Sequence, residues 1–149
     1  MLDDFDAQVD FQLVDWPAAN GVNIRLGAVV GGDLWTASRV GARADGAFEG
    51  YAGDVRSSHG RTQTEDVSGS LRVARTHDVL STYYRGKLGW VRLATGRDPR
   101  FADLVIHIDA ATDGFGHHAT RVAFDNFRAT AEHMFCPGPF YAARKRITP

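Results

Sequence analysis

The chain has 149 residues and a mass of 16.3 kDa, which is the size of one domain built around one core. Hydrophobic residues make up 44% of it and charged residues 23%, close to globular averages, which excludes disorder, collagen-like repeats and coiled coils. The formal net charge of -1 argues against nucleic acid and anionic membranes as partners. Because Cys136 is the only cysteine, the chain cannot form an internal disulfide.

The N-terminal segment is acidic and has neither the basic nor the apolar part of a signal peptide. No stretch approaches the ~20 consecutive apolar residues of a membrane span. We therefore expect a soluble chain that, as given, is neither exported nor anchored, while its compartment stays open.

The first third of the chain alternates apolar and polar residues over residues 5–13 and again over 22–30. This period of two is the pattern of half-buried strands. Gly31, Gly32 and Asp33 form a hairpin-type turn signal that leads into a third strand over residues 34–40. These segments predict a β-meander.

A fourth strand is predicted over residues 47–55, and the polar run at 57–66 that follows it is expected to be a long, mobile loop. Five further strands are predicted over residues 70–75, 79–85, 88–95, 103–110 and 121–129. We expect at most one helical turn, at residues 100–103, and an irregular tail from residue 132 to 149.

About nine strands with one apolar and one polar face predict two sheets packed on each other, because each sheet has to bury its apolar side. The predicted fold class is an all-β sandwich with two antiparallel sheets. Its predicted domain spans residues 1–131, with residues 132–149 as an irregular C-terminal tail. The sequence has no internal repeat of fixed period, and this argues against a propeller or a solenoid.

Four short motifs follow one another along the chain: Gly69-Ser-Leu-Arg72, Tyr83-Tyr84, Gly89-Trp90 and Asp125-Asn-Phe127. In this order, and with the strand at residues 5–11, they resemble the concanavalin A-like superfamily of lectins and glucanases, which includes laminin G-like and pentraxin-like domains. The similarity extends to about residue 129. It implies a jelly-roll β-sandwich, a fold used by lectins, glycan-binding modules, interaction domains and some glycoside hydrolases and lyases; the fold does not choose among them.

Two features of the superfamily are missing from this sequence. The catalytic signature Glu-x-Asp-x-x-Glu of its laminarinase-type enzymes is absent, which favours a non-catalytic role. Its usual opening strand is also missing, so we expect residues 140–147 to fill that edge or the edge to stay open.

Glycoside hydrolysis needs two carboxyl groups about 5 to 9.5 Å apart, one of them with a raised pKa. Asp4, Asp6 and Asp10 share one face of the first strand, where i and i+2 neighbours lie about 6.6 Å apart. A solvated strand face shows the same pattern, and this interpretation is preferred. No catalytic residue is predicted.

The loop between the last two predicted strands, together with the end of the strand before it, gathers Asp109, Asp113, His117 and His118 within ten residues. Calcium would favour the two aspartates and zinc the two histidines. The spacing matches no known metal-binding loop, so we predict neither a metal site nor another cofactor, and keep calcium as the alternative.

Sugar binding requires an aromatic platform and planar polar side chains. Alternation predicts such side chains on the polar sides of the strands, in a ligand-binding face made of Arg25, Trp35, Arg39, Arg72 and Tyr84, with Tyr51 and Arg92 as companions. Trp90 is predicted to belong to the core.

Three functions follow as hypotheses. The preferred one is a non-catalytic module that binds a glycan or another polar ligand. The second is a glycosidase or lyase of the same fold, and the third is an interaction module without a small ligand, which docks on a second copy of the chain or on a neighbouring domain.

Overall fold

The computed structural model describes residues 4–16, 22–42, 48–56, 58–100, 105–112 and 119–132. These residues form ten β-strands: β1 (Phe5–Asp15), β2 (Val22–Val30), β3 (Asp33–Ala42), β4 (Phe48–Val55), β5 (Ser58–Gln63), β6 (Ser68–Thr76), β7 (Val79–Gly86), β8 (Gly89–Arg97), β9 (Val105–Thr112) and β10 (Arg121–Ala131). Within these residues no helix is present that is long and apolar enough to cross a membrane.

The ten strands form two five-stranded sheets in which every neighbouring pair is antiparallel. Sheet A has the order β10-β1-β6-β7-β8, and sheet B has the order β5-β4-β3-β2-β9. The sheets pack face to face around a common core. The predicted antiparallel β-sandwich is therefore confirmed.

Alternation along β1 sends one set of side chains into the core and the other to the surface. Ala7 and Val9 point inward and are each 1% exposed, and they pair with Val73 and Leu71 of β6, which are also buried. The intervening polar side chains form the outer face of sheet A. This is the strand pattern that the sequence predicted.

The β2–β3 turn is the predicted hairpin, with Gly31 and Gly32 at φ angles of 58° and 88°. Both residues lie in the left-handed region that glycine enters without steric cost, and this gives the two-residue turn the twist that antiparallel strands need. Val30 and Asp33 pair directly across it.

Strand β3 has the opposite phase to the one predicted. Trp35 pairs with Ala28 and is fully buried, whereas Leu34 is 40% exposed. A shift of one residue exchanges the two faces of a strand, and the inward phase buries the larger tryptophan ring opposite small Ala28. The prediction that Trp35 lies on the polar side of its strand is wrong.

The predicted loop at residues 57–66 contains strand β5, so that prediction is wrong for residues 58–63. Strand β5 pairs with β4 and lies against β8 of the other sheet. A Cβ atom at Gly60 would lie 1.7 Å from the carbonyl oxygen of Leu93, so only a glycine permits this approach of the two backbones. The segment is polar because its outward side chains face solvent.

Strand β10 ends at Ala131. The predicted irregular tail, with the edge strand expected at residues 140–147, lies outside the described residues apart from its first residue. The predicted helical turn is likewise outside them except for Arg100. The domain limits and the tail stay predictions.

Candidate ligand-binding face of sheet A

The structure distributes the five predicted ligand-binding residues over three places. Arg25 lies on the outer face of sheet B and Arg72 on the outer face of sheet A. Trp35, Arg39 and Tyr84 point into the sandwich, so their placement on one polar face is corrected. The prediction from the sequence had therefore assigned to one surface residues that belong to two opposite faces and to the interior.

Arg39 is 1% exposed and its guanidinium is held at one end of the sandwich. It donates hydrogen bonds to the carbonyl oxygens of Asp66 and Val40, at 3.0 and 2.8 Å, and it forms a 3.2 Å ion pair with Glu49. The indole of Trp16 donates to the same carboxylate at 3.1 Å. A buried charge needs such partners, so Arg39 connects strands of the fold.

Tyr84 stacks on Tyr51 with 4.3 Å between ring centroids. Tyr51 is fully buried, and its hydroxyl donates a hydrogen bond to Asp66 at 3.1 Å. Burial, together with the nearby Asp66 carboxylate, raises the pKa of Tyr51 above its ordinary value. The two rings pack against the core, and they do not form an exposed platform.

On the outer face of sheet A, Arg72 lies at the centre of a cluster of polar and aromatic side chains. Its Nε donates to both carboxylate oxygens of Asp6 at 3.0 Å, and its Nη2 contacts Oδ2 of the same group. The guanidinium carbon lies 5.2 Å from the ring centroid of Tyr83 and 5.7 Å from that of Trp90. These contacts fix the orientation of Arg72, and the hydrogen bonds to Asp6 raise its pKa.

A shallow depression of about 310 Å³ opens beside this cluster. Its walls are Asp6, Gln8, Arg72, Trp90, Arg128 and Thr130. Trp90 is half-buried and lies on the outer face, where its ring is also 6.0 Å from the guanidinium carbon of Arg85. The prediction that Trp90 belongs to the core is therefore wrong.

Asp10 shares this outer face and is held as a carboxylate. Ser70 donates to it at 2.6 Å and the side-chain amide of Asn126 at 2.9 Å. Asn126 reaches it from an irregularity in the β1–β10 register, where its own φ is 51°. The hydrogen bond from Ser70 is the main cause of the lowered pKa of Asp10.

These contacts test the acid pair suggested by the first strand. The general acid of a glycosidase needs a raised pKa, whereas that of Asp10 is lowered. Asp6 is engaged by Arg72, and Asp4 accepts a hydrogen bond from the backbone N–H of His77. Each of the three carboxylates therefore has a partner within the protein.

A second depression, of about 350 Å³, lies on the outer face of sheet B and contains Arg25. Asp54 and His59 form a 3.0 Å contact at its side, while Ser38 and Ala52 belong to its floor. Its described lining includes no tryptophan, tyrosine or phenylalanine. It lacks the flat apolar surface on which a sugar ring stacks.

The predicted metal-binding candidates cannot be placed together. Asp109 is on β9, whereas Asp113, His117 and His118 lie outside the described residues. Among the residues that the structure does describe, no three His, Cys, Asp or Glu side chains come close enough to hold a metal ion.

Sequence reasoning missed the central role of Trp90 and the contributions of Asp6 and Gln8. Trp90 pairs with Arg85 of β7, and Arg92 pairs with Tyr83. The available signal was that each strand of this hairpin carries one aromatic residue and one arginine two positions apart. Reading the two strands as a hairpin, with cross-strand neighbours on one face, would have found the cluster.

Together, the two sheets and this cluster define an antiparallel β-sandwich with an open face that carries arginine and aromatic side chains. The fold is similar to two crystal structures of the GH43 protein BlXynB from Bacillus licheniformis. For a point mutant of that protein the identity is 16% and the TM-score 0.65, with 86% of this chain covered. For the protein without that mutation the identity is 15% and the TM-score 0.60, with 85% of this chain covered.

The matched part is a fraction of the bacterial protein, since the chain spans 27% of its length. A functionally unknown protein from Saccharomyces cerevisiae is also similar, at 18% identity and a TM-score of 0.50, over 89% of this chain and 74% of the yeast chain. No protein-family model and no curated protein sequence matches the chain. At these identities the similarity shows the fold, and the concanavalin A-like jelly roll stays a resemblance.

Proposed function

We propose that the chain is a non-catalytic β-sandwich module that binds a carbohydrate on the outer face of sheet A. The observation that carries the proposal is the cluster of Arg72, Trp90 and Tyr83 beside a depression of about 310 Å³. An aromatic ring can accept the apolar face of a sugar, while the planar polar groups around it bind hydroxyls.

The polar side chains of the face have the donors and acceptors that this role requires. The amide of Gln8 can both donate to and accept from a sugar hydroxyl, whereas guanidinium groups only donate. Asp6 fixes Arg72 through both carboxylate oxygens, so less side-chain entropy is lost when a ligand binds. The face is therefore pre-organised around its central arginine.

The structural neighbours support a carbohydrate-related use of the fold. A segment of a glycoside hydrolase family 43 protein has the same architecture, and this chain corresponds to 27% of it. A module of this size would supply binding, with hydrolysis belonging to other parts of such a protein. The partnered acids of the first strand, with the lowered pKa of Asp10, favour the non-catalytic form of the proposal.

The interaction module remains the second candidate because apolar side chains are exposed at one end of sheet A. Leu88 at the β7–β8 turn is fully exposed, and Val67 and Val14 are 65% and 53% exposed. Size-exclusion chromatography with light scattering checks this candidate, because dimerisation through these residues would give twice the monomer mass and would be lost in Leu88→Asp.

A glycan-array screen followed by titration calorimetry tests the carbohydrate proposal. We expect saturable binding that Trp90→Ala weakens by about tenfold or more, since a central aromatic contact is lost. Leu88→Ala is the matched control, because it removes an exposed apolar side chain from the turn next to the same strand. Absence of binding across the array, or equal affinity of the Trp90 variant and the parent chain, would refute the proposal.

A further inference from the structure

One row of outward side chains crosses all five strands of sheet A. Arg128 lies beside Gln8, Gln8 beside Arg72, Arg72 beside Tyr83, and Tyr83 beside Arg92. Because neighbouring strands are about 4.8 Å apart, the row is about 19 Å long. We call it the arginine row. A ligand that follows it would be extended and would lie across the strands.

The arginine row contains three cations and no carboxylate. Arg72 is neutralised by Asp6, but among the described residues Arg92 and Arg128 have no ion-pair partner. Arg85, next to Trp90, also makes no ion pair with a described residue. The arginine row itself therefore carries an excess of positive charge, although Asp10 on the same face interacts electrostatically with Arg85 and Arg128 and the net charge of the whole chain is -1.

The positions of the exposed cations indicate where negative charge would be bound. Arg128 belongs to the edge strand β10 and Arg92 to the edge strand β8, so they lie at the two ends of the row, with the aromatic cluster between them. Guanidinium groups bind carboxylates through two parallel hydrogen bonds, which suits a ligand with carboxylates spaced along it.

We propose that the ligand of this face is an acidic polysaccharide whose sugar units carry carboxylates. Its chain lies along the arginine row, its rings contact Trp90 and Tyr83, and its carboxylates pair with Arg92 and Arg128. This assignment rests on the proposed carbohydrate-binding function and adds the chemical class of the sugar.

Titration calorimetry with polygalacturonate, and with the same polymer after chemical reduction of its carboxyl groups, tests the assignment. The two probes share a backbone and differ in charge. We expect polygalacturonate to bind about tenfold or more tightly than the reduced polymer, and its affinity to fall between 50 and roughly 300 mM salt because exposed ion pairs are screened.

Two variants locate the interaction. Arg92→Gln and Arg128→Gln each change an exposed side chain and should weaken polygalacturonate binding several-fold, up to about tenfold. Arg61→Gln, on the outer face of sheet B, is the matched control that removes the same charge from the other sheet, and it should leave the affinity unchanged. Circular dichroism checks that all three variants are folded.

The outcomes separate the two proposals. Equal affinities for the charged and reduced polymers, with loss of both in Trp90→Ala, would overturn the acidic ligand and leave carbohydrate binding intact. Binding that Arg61→Gln weakens as much as the row variants would also overturn the assignment. If neither polymer binds and the glycan array is silent, both proposals fail.

Discussion

The ends of the sandwich and the outer face of sheet A use arginine in different ways. Arg39 and Arg75 are 1% and 5% exposed, and most of their hydrogen bonds go to backbone carbonyl oxygens. Arg72 is half-buried, and its described hydrogen bonds go to one side chain, Asp6. The first arrangement holds segments of the chain together, whereas the second orients a guanidinium on an open surface. We therefore expect the interior arginines to determine stability and Arg72 to determine binding.

The largest expected effect is on the stability of Arg39→Ala. Removal of this guanidinium takes a donor from the carbonyl oxygens of Asp66 and Val40 and breaks the ion pair with Glu49, whose carboxylate keeps the hydrogen bond from Trp16. Breaking a buried ion pair from one side costs about 3–5 kcal/mol, so the free energy of unfolding should fall by an amount of that order. Urea denaturation measures it, and a loss below about 1 kcal/mol would contradict the structural role of Arg39.

The second prediction concerns Asp98, which is fully buried at the end of the sandwich opposite to Arg39. Arg100 donates hydrogen bonds to its carboxylate, and these bonds lower the pKa of Asp98 to about 2. The same guanidinium also contacts Asp33 of the β2–β3 hairpin. Since the folded pKa lies below the unfolded value of 3.8, the stabilisation is complete above about pH 4 and is lost as the pH falls toward 2. The free energy of unfolding that is lost over this pH range is about 2 kcal/mol.

Chemical denaturation at a series of pH values between 2 and 6 checks this prediction. Asp98→Asn is the matched variant, because it keeps the size of the side chain and removes the titration. The variant should be less stable than the parent chain at pH 6, and the stability difference between the two should shrink at the acidic end of the series. A difference that stays constant over the whole range would show that Asp98 does not contribute through its charge.

The smallest expected change in stability is that of Arg72→Gln. Its ion pair with Asp6 is partly exposed, with relative side-chain exposures of 28% and 38%, and such pairs contribute about 1 kcal/mol or less. The free energy of unfolding should therefore change little, while carbohydrate affinity should fall about tenfold. A variant that loses stability as Arg39→Ala does, and keeps its affinity, would abolish the distinction between the two regions.

Much of the fold could be predicted because strand patterns are local. Nine of the ten strands were expected at or near their positions, and the Gly31–Gly32 turn was recognised from its two glycines. Strand β5 was missed because its polar sequence carries no apolar alternation. Its position depends on pairing with the preceding strand β4 and on the close contact of Gly60 with Leu93, which is distant in the chain.

The candidate site was predicted less well because it depends on which face each strand presents. Arg72 was placed correctly on an outer face, but Trp35 and Trp90 were exchanged between core and surface. In β3 and β8 polar and apolar residues occur on both sides of the strand, so period-2 alternation does not choose between two phases that differ by one residue.

The amino-acid sequence by itself determined that this chain folds as an antiparallel β-sandwich, because alternating strands and short glycine turns have to bury their apolar sides against each other. Only the tertiary structure decided that Arg39 connects strands inside the sandwich while Arg72 lies beside Trp90 on an open face. The physical reason is that burial and cross-strand neighbours are properties of the packed sheets. An arginine in a strand is a structural or a binding residue according to the groups that surround it.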